Sequence, residues 1–263
     1  VLRPVAAAAC LFLSGAAWAQ VGEGSAATPA VLPSVTVSAS GLQLGQSDMA
    51  TPVSVLEGDE LLRRREATLG ETLAHEPGIR SSHFGAGSGR PIVRGMDGPR
   101  VKLLNDGVEI QDASTISPDH AVVAEPMLST QIEVLRGPSA LLYGAGAVGG
   151  VVNVLDNKVP TVVPEKGIEG SAELRANTGA RENAGAFELT GGTGNLVLHV
   201  GAATRKAGDY RVGKGWAHEG VPERKVPGSF SQGDTGTVGL SWVGDRGYLG
   251  LAYTRQTARY GLP

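Results

Sequence analysis

Apolar and polar positions alternate with a period of two through the last third of the chain. Ala172, Leu174 and Ala176 alternate with Ser171, Glu173, Arg175 and Asn177. The same period recurs at Phe187 and Leu189, at Leu196, Leu198 and Val200, at Val238, Leu240 and Trp242, and at Leu249, Leu251 and Tyr253. Successive side chains of a strand point to opposite faces, so this pattern predicts antiparallel strands over 168–263, each with one apolar and one polar face. The turns between them are short ("GARE", "GGTG", "GDRG"), except for one long polar connection from 206 to about 235. Residues 48–160 read differently. Thr68-Leu69-Gly70-Glu71 has the form of a capping box and opens a short helix that Pro77-Gly78 ends. Residues 101–104 and 108–110 flank Asn105-Asp106-Gly107, a hairpin signal. Residues 132–135 and 150–155 are β-branched runs that suit strands. This part of the chain is predicted to be a small α+β unit.

Between the last two runs lies "YGAGAVGG", in which Gly144, Gly146 and Gly149 match the dinucleotide fingerprint G-x-G-x-x-G. That fingerprint works only as strand, glycine loop, helix, with the pyrophosphate on the helix N-terminus. Here Pro138 at a first helical position and Gly144 as a stop place a short helix before the glycines, and a strand follows them. The order is wrong for a nucleotide site. The glycines are expected to let backbone pack closely, and the chain is not expected to be an enzyme.

The N-terminus changes the picture. Arg3, an apolar run over 5–13 and Ala17-Trp18-Ala19 form a secretory signal peptide, residues 1–19. The apolar run is too short to span a bilayer as a helix. Cleavage removes the sole cysteine, Cys10, so no internal disulfide or cysteine metal site is expected; lipid attachment at Cys10 is disfavoured by its early position. Loss of Arg3 leaves 22 basic against 26 acidic residues, which gives nucleic acid no electrostatic footprint. For an exported chain, alternating strands then mean a soluble sandwich or a membrane β-barrel, and short turns set against a long loop favour the barrel. Residues 20–47 are rich in Gly, Ser, Ala and Gln and read as a flexible tether. Within it, Val35, Thr36 and Val37 are an island of strand-formers, either a stray β-prone piece or a strand offered to a partner's sheet.

Candidate chemistry is confined to a few residues. Asp119 and His120 adjoin after Pro118 in a polar loop, with Glu125 nearby. Carboxylate oxygen and imidazole nitrogen are both good zinc ligands, but a site needs three or four converging groups; Asp119 as a turn cap beside an exposed His120 is the plainer alternative. His218 and Glu219 in the long connection form a second, weaker candidate, against an ordinary solvated pair. His199 falls on the polar face of its strand by alternation, and His75 and His83 read as structural.

"IEVLRGPSALLYGAGAVGGVVNVL" and "PIVRGMDGPRVKLLNDGVEI" resemble the plug-domain segments of TonB-dependent outer-membrane receptors, and "SVTVSAS", over about 32–39, occupies the place of the TonB box. The resemblance covers nearly all of the mature chain. It implies an α+β plug domain at 48–160 followed, at 168–263, by the first strands of a transmembrane β-barrel of about 22 strands, here truncated. It implies an outer-membrane location in a Gram-negative cell and two partners, outer-membrane lipid and the periplasmic TonB protein, which pairs with Val35-Thr36-Val37. It also implies that Arg94 and Arg136, each followed by glycine, pair with acidic residues of the barrel wall. No resident cofactor is implied; the cargo is a scarce metal ion or a metal chelate. The Ser-Pro-Asp-His element at 117–120, with "DYRVGKGW" and "VPGSF" in the long connection, is similar to the zinc-uptake branch. A receptor for an iron chelate, haem or cobalamin is the alternative, and a passive pore or adhesin the other class.

Overall fold

A computed structural model describes residues 52–137, 140, 143–144, 146–218, 221–222 and 224–263, all within one compact unit, Ser34–Pro263. The expected signal peptide, the expected tether with Val35, Thr36 and Val37, most of the short helix expected at 138–143, and Glu219 lie outside the described residues.

The chain runs β1 (Val53–Glu57), α1 (Gly58–Arg64), α2 (Leu69–Leu73), β2 (Ile79–Ser81), β3 (Pro91–Val93), β4 (Val101–Asn105), β5 (Val108–Glu109), β6 (Ser129–Leu135) and β7 (Gly150–Asp156). Five of these strands form a mixed sheet in the order β1-β6-β7-β4-β5. Only β4 and β7 run parallel; β4 and β5 are the hairpin around Asn105-Asp106-Gly107. Two inner strands, β6 and β7, are buried on both faces over 132–135 and 150–154, and apolar residues therefore fall on either side of them, interrupted only by Glu133 and Asn153. Ile132, Val134, Val152 and Val154 pack with Leu61, Leu69 and Leu73 of the helices on one face. Leu135 and Val151 pack with Leu104, Ala140 and Ala147 on the other. On that second face Glu133 and Asn153 are directly opposite and wholly buried, and Asn153 Nδ2 donates to Glu133 Oε2 at 3.1 Å, which supplies the partner a buried carboxylate needs.

The capping box forms by half. Thr68 Oγ1 accepts the Glu71 N–H at 3.2 Å, whereas the Glu71 carboxylate turns away to His83 Nδ1 at 2.8 Å. The glycines after residue 143 enter a strand, β7, and no helix follows them. Gly149 donates to the Arg100 carbonyl at 2.8 Å, and a Cβ there would stand 2.8 Å from Met96 Cβ, so glycine is required by close approach.

The second sheet has the order β14-β13-β10-β9-β8, antiparallel throughout: β8 (Ile168–Asn177), β9 (Glu182–Thr193), β10 (Leu196–Ala207), β13 (Ser231–Gly244) and β14 (Gly247–Tyr260). The connection from β10 to β13 holds a two-residue hairpin, β11 (Ala217–His218) and β12 (Val221–Pro222). On one face Phe187, Leu189, Leu196, Leu198, Val238, Leu240, Trp242, Leu249, Leu251 and Tyr253 are all close to half exposed or more. A contiguous exposed apolar band of this kind suits contact with lipid. The alternate positions, among them Val197, His199, Ala203, Thr235, Thr237 and Ser241, are buried facing the first sheet. Backbone of the connector between the two sheets also packs on this wall: a Cβ on Gly239 would overlap the Lys158 carbonyl.

Candidate ligand site

Asp119 and His120 stand in the loop between β5 and β6, which is irregular apart from two turns of 3-10 helix at Ala113–Thr115 and Pro126–Leu128. Pro118 disfavours helix at Ser117, and the loop is instead pinned by side chains. Asp112 caps the first turn by accepting the Ser114 N–H at 3.0 Å, and its other oxygen accepts the Val123 N–H at 3.0 Å. Ser88 donates to the Pro118 carbonyl. Beneath the loop Arg90, 3% exposed, donates to Ser114 Oγ at 2.7 Å and to the Val101 carbonyl at 2.8 Å. The strongest tie to the second sheet is Tyr260 at the end of β14. Its hydroxyl accepts the Ala121 N–H at 2.9 Å and donates to the Asp119 carbonyl at 3.0 Å.

Tyr260 pairs with Ser231, and Ser231 with Ala207, so the loop sits at the end of the second sheet from which the long 208–230 connection departs. At that end Asp119 Oδ1 lies 3.0 Å from His120 Nδ1 and accepts from the Ser117 hydroxyl. The Ser117 hydroxyl, and after it His120, hold the Asp119 carboxyl below the usual carboxylate range. The imidazole of His120 is exposed, and its Nδ1 faces the Asp119 carboxylate. Among the described residues no third His, Cys, Asp or Glu joins the pair. His218 is on β11, opposite Val221, and Glu219 is outside the described residues.

Known proteins resemble parts of this chain. Residues 45–151 match the family model of the TonB-dependent Receptor Plug Domain. Residues 45–151 are thus similar to the plug of a TonB-dependent receptor. Over 119 residues it is 33% identical to a hemin receptor of Yersinia pestis, covering 45% of this chain and 17% of that protein. Over 167 residues it is 30% identical to the vitamin B12 transporter BtuB of Vibrio vulnificus, covering 60% of this chain and 27% of that one. Among solved structures the copper transporter OprC superposes with a TM-score of 0.63 at 22% identity, over 81% of this chain and 32% of that one, a likeness of fold. The chain thus spans less than a third of the length of these relatives.

Other residues expected to act are distributed unevenly. Arg94, exposed and at a positive φ of 52°, and Arg136, whose Nη1 donates to Ser54 at 3.0 Å, make no ion pair with the second sheet among the described residues. The contacts that seat the plug on the wall come from residues the sequence did not single out. Arg65 donates to Glu173 Oε2 of β8 at 2.6 Å, and Arg175 of β8 reaches back to the Leu62 and Arg65 carbonyls. Arg205 of β10 donates to the Ala67 carbonyl at 2.7 Å and lies 3.5 Å from Glu125. These wall arginines satisfy carbonyls at and just past the C-terminal end of α1, where backbone acceptors lack intrahelical partners.

Proposed function

We propose that the chain is the plug and adjoining wall of a TonB-dependent outer-membrane receptor whose cargo is a divalent metal ion, zinc foremost. The observation that carries the reading is the Asp119–His120 pair, held at the end of the wall where the long connection leaves. In this reading that end faces outward. The cargo is captured there from dilute solution by the plug pair together with donors from the outer loops, His218 and Glu219 being the first candidates. Two donors alone bind zinc weakly, and a tight site needs three or four. Val35-Thr36-Val37 then joins TonB in the periplasm as an added strand. TonB pulls with energy from the inner-membrane proton gradient, and the plug yields a path along the wall. No bond is made or broken in the cargo.

A second reading has its own support. The described residues bring only two donor groups together, and the relatives are named for haem and vitamin B12. Under it the pair would contact an organic chelate and no bare metal. Uptake by cells carrying the complete receptor separates the readings. Radiolabelled zinc should accumulate in the wild type, and deletion of residues 32–39 should abolish accumulation while leaving surface binding. Accumulation of a ferric or cobalt chelate in place of zinc would favour the second reading. Uptake indifferent to the deletion would mean a passive pore.

A further inference from the structure

Between plug and wall lies a cavity of about 290 Å³ whose charged lining is three carboxylates, Glu125, Asp156 and Glu188, one ammonium, Lys158, and one imidazole, His199. Two of the carboxylates are engaged. Asp156 Oδ2 accepts from Lys158 Nζ at 2.8 Å and from Asn105 at 3.2 Å, and Glu125 Oε1 accepts the Met127 N–H at 3.1 Å. Glu188 differs: its Oε1 is buried and has no hydrogen-bond partner among the described residues. The nearby Arg65 guanidinium is committed to Glu173 and the Ser129 carbonyl. A carboxylate oxygen taken out of water without a donor is destabilising unless something else compensates it.

What faces that oxygen is an imidazole. His199 pairs with Thr190, and Glu188 with Gly201, so the two side chains are neighbours on the inner face of β9 and β10. His199 is 1% exposed; its Nδ1 lies 2.9 Å from Thr190 Oγ1 and its Nε2 3.9 Å from Glu188 Oε1. Gly201 leaves the space beside them open, since a Cβ there would come within 3.3 Å of Nε2. First-row dications bind imidazole nitrogen and carboxylate oxygen at about 2.0–2.2 Å, so two ligands of one ion stand roughly 3–4 Å apart. The observed separation falls in that range, and a hydroxyl on the other ring nitrogen is the outer support that metal-bound histidines have.

We propose that Glu188 and His199 form an interior site for a partly hydrated divalent transition-metal ion, a stopping point on the way past the plug. The proposal rests on the metal-uptake reading and extends it to the wall. With two protein ligands the ion keeps much of its water and exchanges readily, which suits passage rather than storage. The competing occupant is a proton on the Glu188 carboxyl.

The test uses the complete receptor in detergent micelles with Co²⁺ as the probe, because its visible absorption reports nitrogen and oxygen ligation. In an Asp119→Ala/His120→Ala background, which removes the outer pair, one further Co²⁺ should still bind with a ligand-field spectrum. Adding Glu188→Gln or His199→Gln should abolish it. Glu188→Gln keeps the side chain's shape, so it decides the matter should the histidine variant fold poorly. A Co²⁺ spectrum that survives both substitutions, or its absence from the Asp119→Ala/His120→Ala background, overturns the interior site. With the outer pair intact, Glu188→Gln should slow zinc influx severalfold and leave zinc affinity at the outer site unchanged. Equal zinc affinity with and without the outer pair would instead count against the uptake reading, which keeps the two failures apart.

Discussion

Replacing Tyr260 by phenylalanine removes one oxygen atom and keeps the ring. That oxygen closes two hydrogen bonds to the backbone of the Asp119–His120 loop, at 2.9 and 3.0 Å, and joins it to the end of β14. A hydrogen bond of this kind is worth about 0.5–1.5 kcal/mol net. Both are part-buried, so water recovers some of the loss in the variant. A combined weakening of roughly 1–2 kcal/mol in the docking of the loop follows, a factor of about 5–30 in the docked-to-open ratio. Amide hydrogen exchange reads this directly, without reference to any ligand. In the complete receptor, protection of the Ala121 amide should fall by that factor in Tyr260→Phe, while amides of the β13–β14 ladder stay as protected as before. Unchanged exchange at Ala121 would refute the claim that the wall positions the loop. Loss of protection along β14 as a whole would show that the hydroxyl serves the strand.

Other substitutions probe the remaining parts. Val35→Pro removes a ladder donor and restricts its neighbour, so uptake should fail while cargo binding survives; undiminished uptake would remove the TonB-box assignment. Arg94→Ala with Arg136→Ala should loosen plug seating, read as faster proteolysis of the plug in the complete receptor; unaltered proteolysis would assign seating to Arg65, Arg175 and Arg205 alone. Gly149→Ala forces Met96 or the Arg100 carbonyl to move, and overpacking of this kind costs about 1–3 kcal/mol. It should lower the urea midpoint of the plug, and an unchanged midpoint would deny these glycines their packing role.

The wall was legible in the sequence because one of its faces is apolar, but only as far as that face extends. Alternation marked 196–200, whereas β10 continues to Ala207, and it marked 238–242, whereas β13 begins at Ser231. The outward positions in between, such as Thr204, Gln232, Asp234 and Gly236, are polar or small, so periodicity could not separate them from the long connection. In the plug, the hairpin at Asn105-Asp106-Gly107 and the strand-like runs of β6 and β7 were visible because turn chemistry and burial on both faces are local signals. β2 and β3, three residues each, carry too few positions to show a period. The parallel pairing of β4 with β7 joins residues about fifty apart and leaves no local trace. The same holds for the site. Asp119 and His120 stand out in the sequence because they are adjacent, whereas Tyr260, Ser88 and Arg205 do not, because each acts across a distance in sequence that only the folded chain closes.

Zinc titration of the complete receptor tests the central claim most directly, with the wild type set against Asp119→Ala with His120→Ala. The account predicts zinc binding in the wild type that is lost or greatly weakened in the double variant. Binding should also weaken as pH falls from about 7 to about 5, because the imidazole must be unprotonated to bind metal. The Asp119 carboxyl, held below its ordinary range by Ser117 and His120, stays charged over that interval and does not contribute to the loss. Equal affinities in the two proteins would contradict the site, and a wild type that binds no zinc would contradict the cargo.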